Sequence, residues 1–312
     1  MFRASSPFQR RLAIESLETR RQMAGLVELA LDGGNWTFTG DGAANGIEVE
    51  LVAQGEYFVR GTQQGGQATQ IKIAGFENLV ATEFHVFSNL TNLIANLQGG
   101  NDRLRIVGRG PGSDALRMSS LVVNAADGDD ELELKYVSMP GLTVDLGAGH
   151  DELRMYGVAM FFYWPGWNTP LPSINAGLGK DHVEIEDSNF RSLRIDTGAD
   201  ADAVLLDQVT AVRMDVLTGA GEDQLAVIGG ALGRLTMDTG ADNDQAALFA
   251  VSADELYANM GDGDDTLYLA ANTARSAKLL GGNGKDVLDF DPFININNEF
   301  ESLGTDGFET IQ

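Results

Sequence analysis

The turn Gly-x-Gly-x-Asp occurs five times in full in this chain, and its spacing restricts the fold more than any other feature. It reads Gly147-Ala148-Gly149-His150-Asp151, Gly177-Leu178-Gly179-Lys180-Asp181, Gly219-Ala220-Gly221-Glu222-Asp223, Gly261-Asp262-Gly263-Asp264-Asp265 and Gly282-Asn283-Gly284-Lys285-Asp286. Weaker copies end at Asp102, Asp130, Asp202 and Asp244. From Asp202 onward the motif Asp returns every 21 residues, and the step from Asp130 to Asp151 is also 21. Steps of 28 before Asp130 and 30 before Asp181 are insertions that leave the phase intact. Self-similarity at such a period is the signature of a repeat architecture.

Aligning on the motif Asp exposes apolar columns. Two residues after it stand Leu104, Leu132, Leu153, Val183, Val204, Leu225, Ala246, Leu267 and Leu288, and four after it Ile106, Leu134, Met155, Ile185, Leu206, Val227, Leu248, Leu269 and Phe290. Such period-2 alternation describes a short strand with one buried face. A second strand carries Val123, Val144, Ile174, Ile195, Val216, Met237, Ala258 and Leu279 seven before the Asp, with a leucine- and methionine-rich column nine before it. Ala211, Leu232, Ala253 and Ala274, nine after the Asp, suggest a third inward contact. One 21-residue unit cannot bury its own apolar face, but stacked copies can, pairing at about 4.8 Å. The expectation is an all-β chain forming a parallel β-solenoid of about 21 residues per coil. A propeller blade needs about 40 residues, which excludes that alternative. The repeat solenoid spans 97–290; 1–24 is a basic targeting segment, 25–96 divergent N-terminal coils or a cap, and 291–312 a C-terminal cap.

Composition agrees with this reading. Glycine contributes 38 of 312 residues, and 21 Lys plus Arg against 46 Asp plus Glu leave a charge of −25. That balance excludes a nucleic-acid binder, which needs a basic face, and suits divalent cations. No cysteine is present, so disulfides and thiolate chemistry are excluded. No apolar run reaches the length of a membrane-spanning helix.

The motif has a mechanical logic. Glycines permit positive φ, so turn carbonyls can converge on a point to which the Asp adds a carboxylate, and calcium takes six to eight such oxygens. Carboxylates stacked one coil apart repel by about 3 kcal/mol per pair at an effective dielectric near 20. Cations, local basic residues (Lys180, Lys285, His150) or water must offset this. The alternative is a structural turn whose Asp caps backbone N–H groups. Asp130, Asp151, Asp181, Asp202, Asp223, Asp244, Asp265 and Asp286 are therefore candidate calcium ligands, with Gly147, Gly149, Gly219, Gly221, Gly261, Gly263, Gly282 and Gly284.

These turns resemble the repeats-in-toxin family, through Gly281-Gly282-Asn283-Gly284-Lys285-Asp286-Val287-Leu288 above all. The resemblance covers about residues 97–290 and implies a calcium-binding parallel β-roll. This chain departs by carrying one motif per 21-residue coil, where the family places two nonapeptides in 18. The stretch Leu17-Glu18-Thr19-Arg20-Arg21-Gln22-Met23-Ala24 resembles the LEPR-XLL segment of large repetitive bacterial surface proteins, with Thr19 in place of the proline. That resemblance implies an extracellular or cell-surface location.

Three further features invite function. Asn96, Asn124, Asp145, Asn175, Asp196, Asp238 and Asn259, six before the motif Asp, read as a ladder of hydrogen-bonding side chains along one coil edge. In the longer insertion, Phe161, Phe162, Tyr163, Trp164 and Trp167 form an aromatic loop suited to sugars or a partner, or to burial against the solenoid. The three histidines are not spaced as metal ligands, and no hydrolase, phosphate-loop or zinc-protease motif occurs. Arg154, Arg194 and Arg213 are candidate partners for a lyase-like carboxylate, and nothing groups them. The expectation is a calcium-stabilised extracellular structural or adhesive solenoid without catalysis, whose partners are calcium ions and a surface glycan or protein. The alternative is a carbohydrate-binding or carbohydrate-active β-helix.

Overall fold

A computed structural model describes residues 25–64, 67–160, 171–290, 299–300 and 302–311. The basic segment with its LEPR-XLL-like stretch and the five aromatics at 161–167 lie outside the described residues.

Each coil contributes one strand to each of two long sheets. The strand after the motif Asp, such as Glu131–Lys135, Glu152–Tyr156 or Ala203–Asp207, stacks in parallel on its counterpart one coil on, with Leu132 beside Leu153 and Leu153 beside Val183. The strand before the motif, such as Thr210–Leu217 or Ala231–Asp238, does the same, with Val216 beside Met237. The all-β parallel solenoid expected from the repeat is the observed fold. Its core is the set of columns read from the sequence. Leu104, Leu134, Val183, Leu206, Val216, Met237, Leu267 and Leu279 are fully buried or nearly so. The third column belongs to the beginning of the pre-motif strand, where Ala211, Leu232 and Ala274 are buried and Ala253 packs against the core from its edge. Val212 and Gly233 are skipped in the pairing, which runs from Ala211 beside Leu232 to Arg213 beside Arg234.

The ends are closed differently. Asn35–Thr39 and Gly46–Ala53 form a first coil in register with the rest, Trp36 beside Leu93 and Ile47 beside Leu104. The chain then leaves the solenoid. Glu56–Gly61 and Glu83–Phe87 add two antiparallel strands to one sheet, and Leu26–Asp32 pairs antiparallel with Asn35–Thr39 on the other. At the far end Leu303–Asp306 and Phe308–Ile311 lay a further coil over the last repeat, covering the open edge.

The corner after the post-motif strand has no residue signature. Six residues past the motif Asp, Tyr136, Gly157, Asp187, Gln208, Gly229, Ala250 and Ala271 all take positive φ, between 48° and 63°. A side chain in this region costs roughly 1–2 kcal/mol. Ala250→Gly, at φ 56°, is therefore expected to change stability by no more than about 1 kcal/mol, and upward, once the larger chain entropy of unfolded glycine is counted. A denaturant titration checks this.

Candidate functional site

All nine motif Asp residues face inward and are at most 3% exposed. Their burial follows from the turn. The first glycine of each motif takes a positive φ, 107° at Gly147 and 99° at Gly240, and turns the chain inward. In the weak copies Gln98 and Ala126 adopt the same region in place of the first glycine, and Asp200 and Asp242 (φ 80° and 83°) in place of the second. Successive turns lie backbone on backbone. A Cβ built on Gly240 would stand 1.8 Å from the carbonyl oxygen of Gly219, and one on Gly261 1.9 Å from that of Gly240.

The carboxylates form a continuous ladder. Oδ1 of each motif Asp accepts the backbone N–H of the motif Asp one coil earlier. Asp130 donates to Asp151 at 2.8 Å, Asp202 to Asp223 at 2.8 Å, Asp223 to Asp244 at 2.9 Å and Asp265 to Asp286 at 3.0 Å. At the N-terminal end Asn45 takes the place of an Asp and donates its N–H to Asp102 at 2.6 Å. At the other end Glu309 Oε2 accepts from Asp286 at 2.6 Å. Neither terminus of the ladder was legible in the repeat: Asn45 stands 57 residues before Asp102, beyond the inserted hairpins, and Glu309 is a different residue type.

The second carboxylate oxygen is the unusual atom. Oδ2 of all nine is buried and accepts no hydrogen bond of good geometry, although the side chains of Asn45, Thr197, Thr218 and Thr239 lie close enough to ease the charge of Asp102, Asp202, Asp223 and Asp244. Desolvation is the largest influence on these groups. It pushes Asp102 up to about 8, Asp130, Asp181 and Asp244 to about 7, and Asp151, Asp202 and Asp265 to about 6, against the relief of the donated N–H. Neighbouring carboxylates raise several of them further; Asp223 and Asp286 are raised as well. Water is thus not what offsets repulsion along this row. A buried oxygen of this kind takes either a proton or a cation.

Calcium would find one such oxygen per coil. The turn carbonyls are already hydrogen-bonded between coils: Gly198 O accepts from Ala220 N at 3.2 Å, and Gly219 O from Ala241 N at 2.9 Å. Each carbonyl has a second lone pair, so the turn suits a cation in its donor chemistry. No group of three or more His, Asp or Glu side chains converges as a metal site among the described residues.

The neighbouring columns are structural. Asn124 donates to Asn96 at 2.7 Å, Asn175 to Asp145 at 2.9 Å and Asn259 to Asp238 at 3.0 Å, the side-chain ladder expected from the sequence. Five before the Asp, buried Thr197, Thr218 and Thr239 donate to the carbonyls of Thr218, Thr239 and Met260. This column escaped the sequence reading because Leu97, Ala125 and Leu146 occupy it in earlier coils. Lys180 and Lys285 join the turn stack by donating backbone N–H to His150 Nδ1 and Asp264 Oδ1. The three arginines are scattered. Arg154 pairs with Glu131, Glu152 and Glu184 on the post-motif sheet, while Arg194 and Arg213 pair with Asp196 and Asp215 on the other.

Missed in the sequence was an aromatic stack on the N-terminal hairpins. The His85 ring lies 4.5 Å from those of Phe58 and Phe87, and its Nε2 is 2.7 Å from Glu56. Only the antiparallel pairing of Glu56–Gly61 with Glu83–Phe87 brings Phe58 opposite His85.

Fold and site together define a repeat β-solenoid with a buried carboxyl ladder. Compared with protein-family models, curated proteins and solved structures, the chain matches none.

Proposed function

We propose that this chain is a calcium-stabilised, non-catalytic structural or adhesive solenoid of the bacterial cell exterior. The observation that carries the reading is the row of buried Oδ2 atoms, none accepting a hydrogen bond of good geometry, running through an unbroken stack of coils. A scaffold needs its coils locked in register, and the Asp ladder does this at every step. Asp130, Asp151, Asp181, Asp202, Asp223, Asp244, Asp265 and Asp286 would hold calcium, with the turn glycines supplying carbonyl oxygens. Bound calcium supplies positive charge where burial disfavours carboxylates. The LEPR-XLL-like segment supports the location, and the repeats-in-toxin resemblance supports the ion. Arg154, Arg194 and Arg213 are each paired with their own acid, which favours a structural role over a lyase.

Thermal unfolding near pH 8, with EGTA and with millimolar calcium, tests the ion. A ligand at 100 times its dissociation constant stabilises by about 2.7 kcal/mol per site. An upward shift of several degrees is expected. No shift removes calcium and leaves the ladder as a row of N–H acceptors. Release of reducing ends from any of a panel of polysaccharides would overturn the non-catalytic reading.

A further inference from the structure

The seven residues by which the step from Asp102 to Asp130 exceeds 21 build one wall of a cleft. This insertion leaves the post-motif strand after Val107, makes a short helical turn at Gly112–Asp114 and rejoins the solenoid at Leu116. Opposite it stand the hairpin turn at Gln54 and Gly55 and the segment Asn89–Thr91. Between them lies a cavity of about 610 Å³. That is within the roughly 300–1,000 Å³ of small-ligand sites.

Its charge is opposite to that of the molecule. Arg109 and Arg117 both line the cleft. Neither belongs to an ion pair among the described residues, in a chain whose Arg60, Arg103, Arg105, Arg154, Arg194, Arg213, Arg234 and Arg275 all do. Arg117 is held by a hydrogen bond from Nη2 to the Gly112 carbonyl at 3.2 Å, and the insertion is pinned by Arg109 N–H donating to Asp114 O at 2.9 Å. Two exposed guanidinium groups without carboxylates, in a protein of charge −25, supply planar donor pairs for an external carboxylate. Asp114 is the one acid in the lining, so the cleft keeps a net positive charge.

The remaining lining selects among carboxylates. Gln54, Asn89, Thr91 and Ser113 offer amides and hydroxyls that both donate and accept, as a hydroxyl-bearing ligand requires. Leu51 and Leu90 are apolar side chains among the lining. We propose that this cleft binds a uronate, the carboxylate-bearing sugar unit of an acidic polysaccharide. Arg109 and Arg117 take the carboxylate, and the amides and hydroxyls take the ring hydroxyls. The site is separate from the Asp ladder and does not depend on calcium.

Calorimetric titration of the full chain in EGTA with trigalacturonate tests this, alongside maltotriose and inorganic phosphate; EGTA removes calcium bridging as a cause. Saturable binding of trigalacturonate is expected, with maltotriose weaker by about tenfold or more. Charge-assisted hydrogen bonds of this kind predict a loss of about ten- to a hundredfold for Arg109→Gln or Arg117→Gln. Asp114→Asn is expected to tighten binding, and circular dichroism confirms that each variant folds. The proposal falls if trigalacturonate does not bind, if both arginine variants bind it unchanged, or if maltotriose binds equally well. Phosphate competing at equal affinity also overturns it, since the cleft would then recognise an oxyanion without the sugar.

Discussion

Replacing Gly240 with alanine is expected to lower stability by about 2–5 kcal/mol, one of the large effects a single methyl group can have in these stacked turns. Two costs add. The residue sits at φ 99°, where an L side chain costs roughly 1–2 kcal/mol. Its new Cβ would also stand 1.8 Å from the Gly219 carbonyl oxygen and 2.7 Å from the carbonyl carbon. Overpacking of this kind costs about 1–3 kcal/mol and here acts against backbone, which cannot rotate aside. Relief requires the two coils to separate, lengthening the bonds from Ala241 N to Gly219 O and from Gly219 N to Thr239 O that join them. A melting temperature lower by about 4–20 °C is expected, at roughly 2–4 °C per kcal/mol. Gly42→Ala is the control: nothing lies within 4 Å of the added Cβ and φ is not in the left-handed region, so its melt should be unchanged. Equal effects of the two substitutions would show that the turns are not in backbone contact.

The second large effect is a dependence on pH carried by the Asp ladder. These groups have folded pKa values raised above the unfolded carboxyl value near 3.9. Their contribution is therefore most favourable below about pH 4 and is lost as pH rises through the folded values of about 6 to 8. In EGTA the melting temperature is expected to fall between about pH 4.5 and 8.5. Asp244 isolates one group, being pushed up to about 7 and 1% exposed. Asp244→Asn keeps an oxygen for the Asp223 N–H and cannot ionise. Relative to the natural chain, the variant should gain about 3 kcal/mol between those two pH values, at 1.36 kcal/mol per pKa unit. Parallel pH profiles for the two proteins would refute the account. Asp244→Ala removes the acceptor as well, and at about pH 4.5 should cost roughly 1–3 kcal/mol for an unpaired buried N–H. Calcium competes with the proton for the same oxygens, so its stabilising effect should grow over the same pH interval.

Much of the core was legible because a stacked coil repeats one environment. Leu132, Leu153, Val183 and Val204 meet the same neighbours one coil apart, so the same residue class recurs in one column. The corner of Tyr136, Gln208 and Ala250 was not legible, since those residues share a dihedral angle and no chemistry. The first coil at 35–51 was legible only as divergent coils or a cap, without its register. Its strands are in register with the others, but the hairpins between Ala53 and Asn92 break the period that would reveal it. The arginine cleft had one sequence sign, the length of the first insertion. Its other walls come from residues about 20 to 60 positions away.

Sequence by itself determined the coil length, the alternation of its strands and the place of one turn per coil, because period and hydrophobic pattern are local properties of the chain. It also showed that nine Asp residues share one register. Tertiary structure alone decided what that register means. Only stacking places each carboxylate within hydrogen-bond reach of an N–H in the preceding coil, and only the neighbouring coils exclude water from Oδ2. Burial and long-range pairing depend on residues 21 or more positions apart, and no local pattern encodes which atom of an Asp will face which coil.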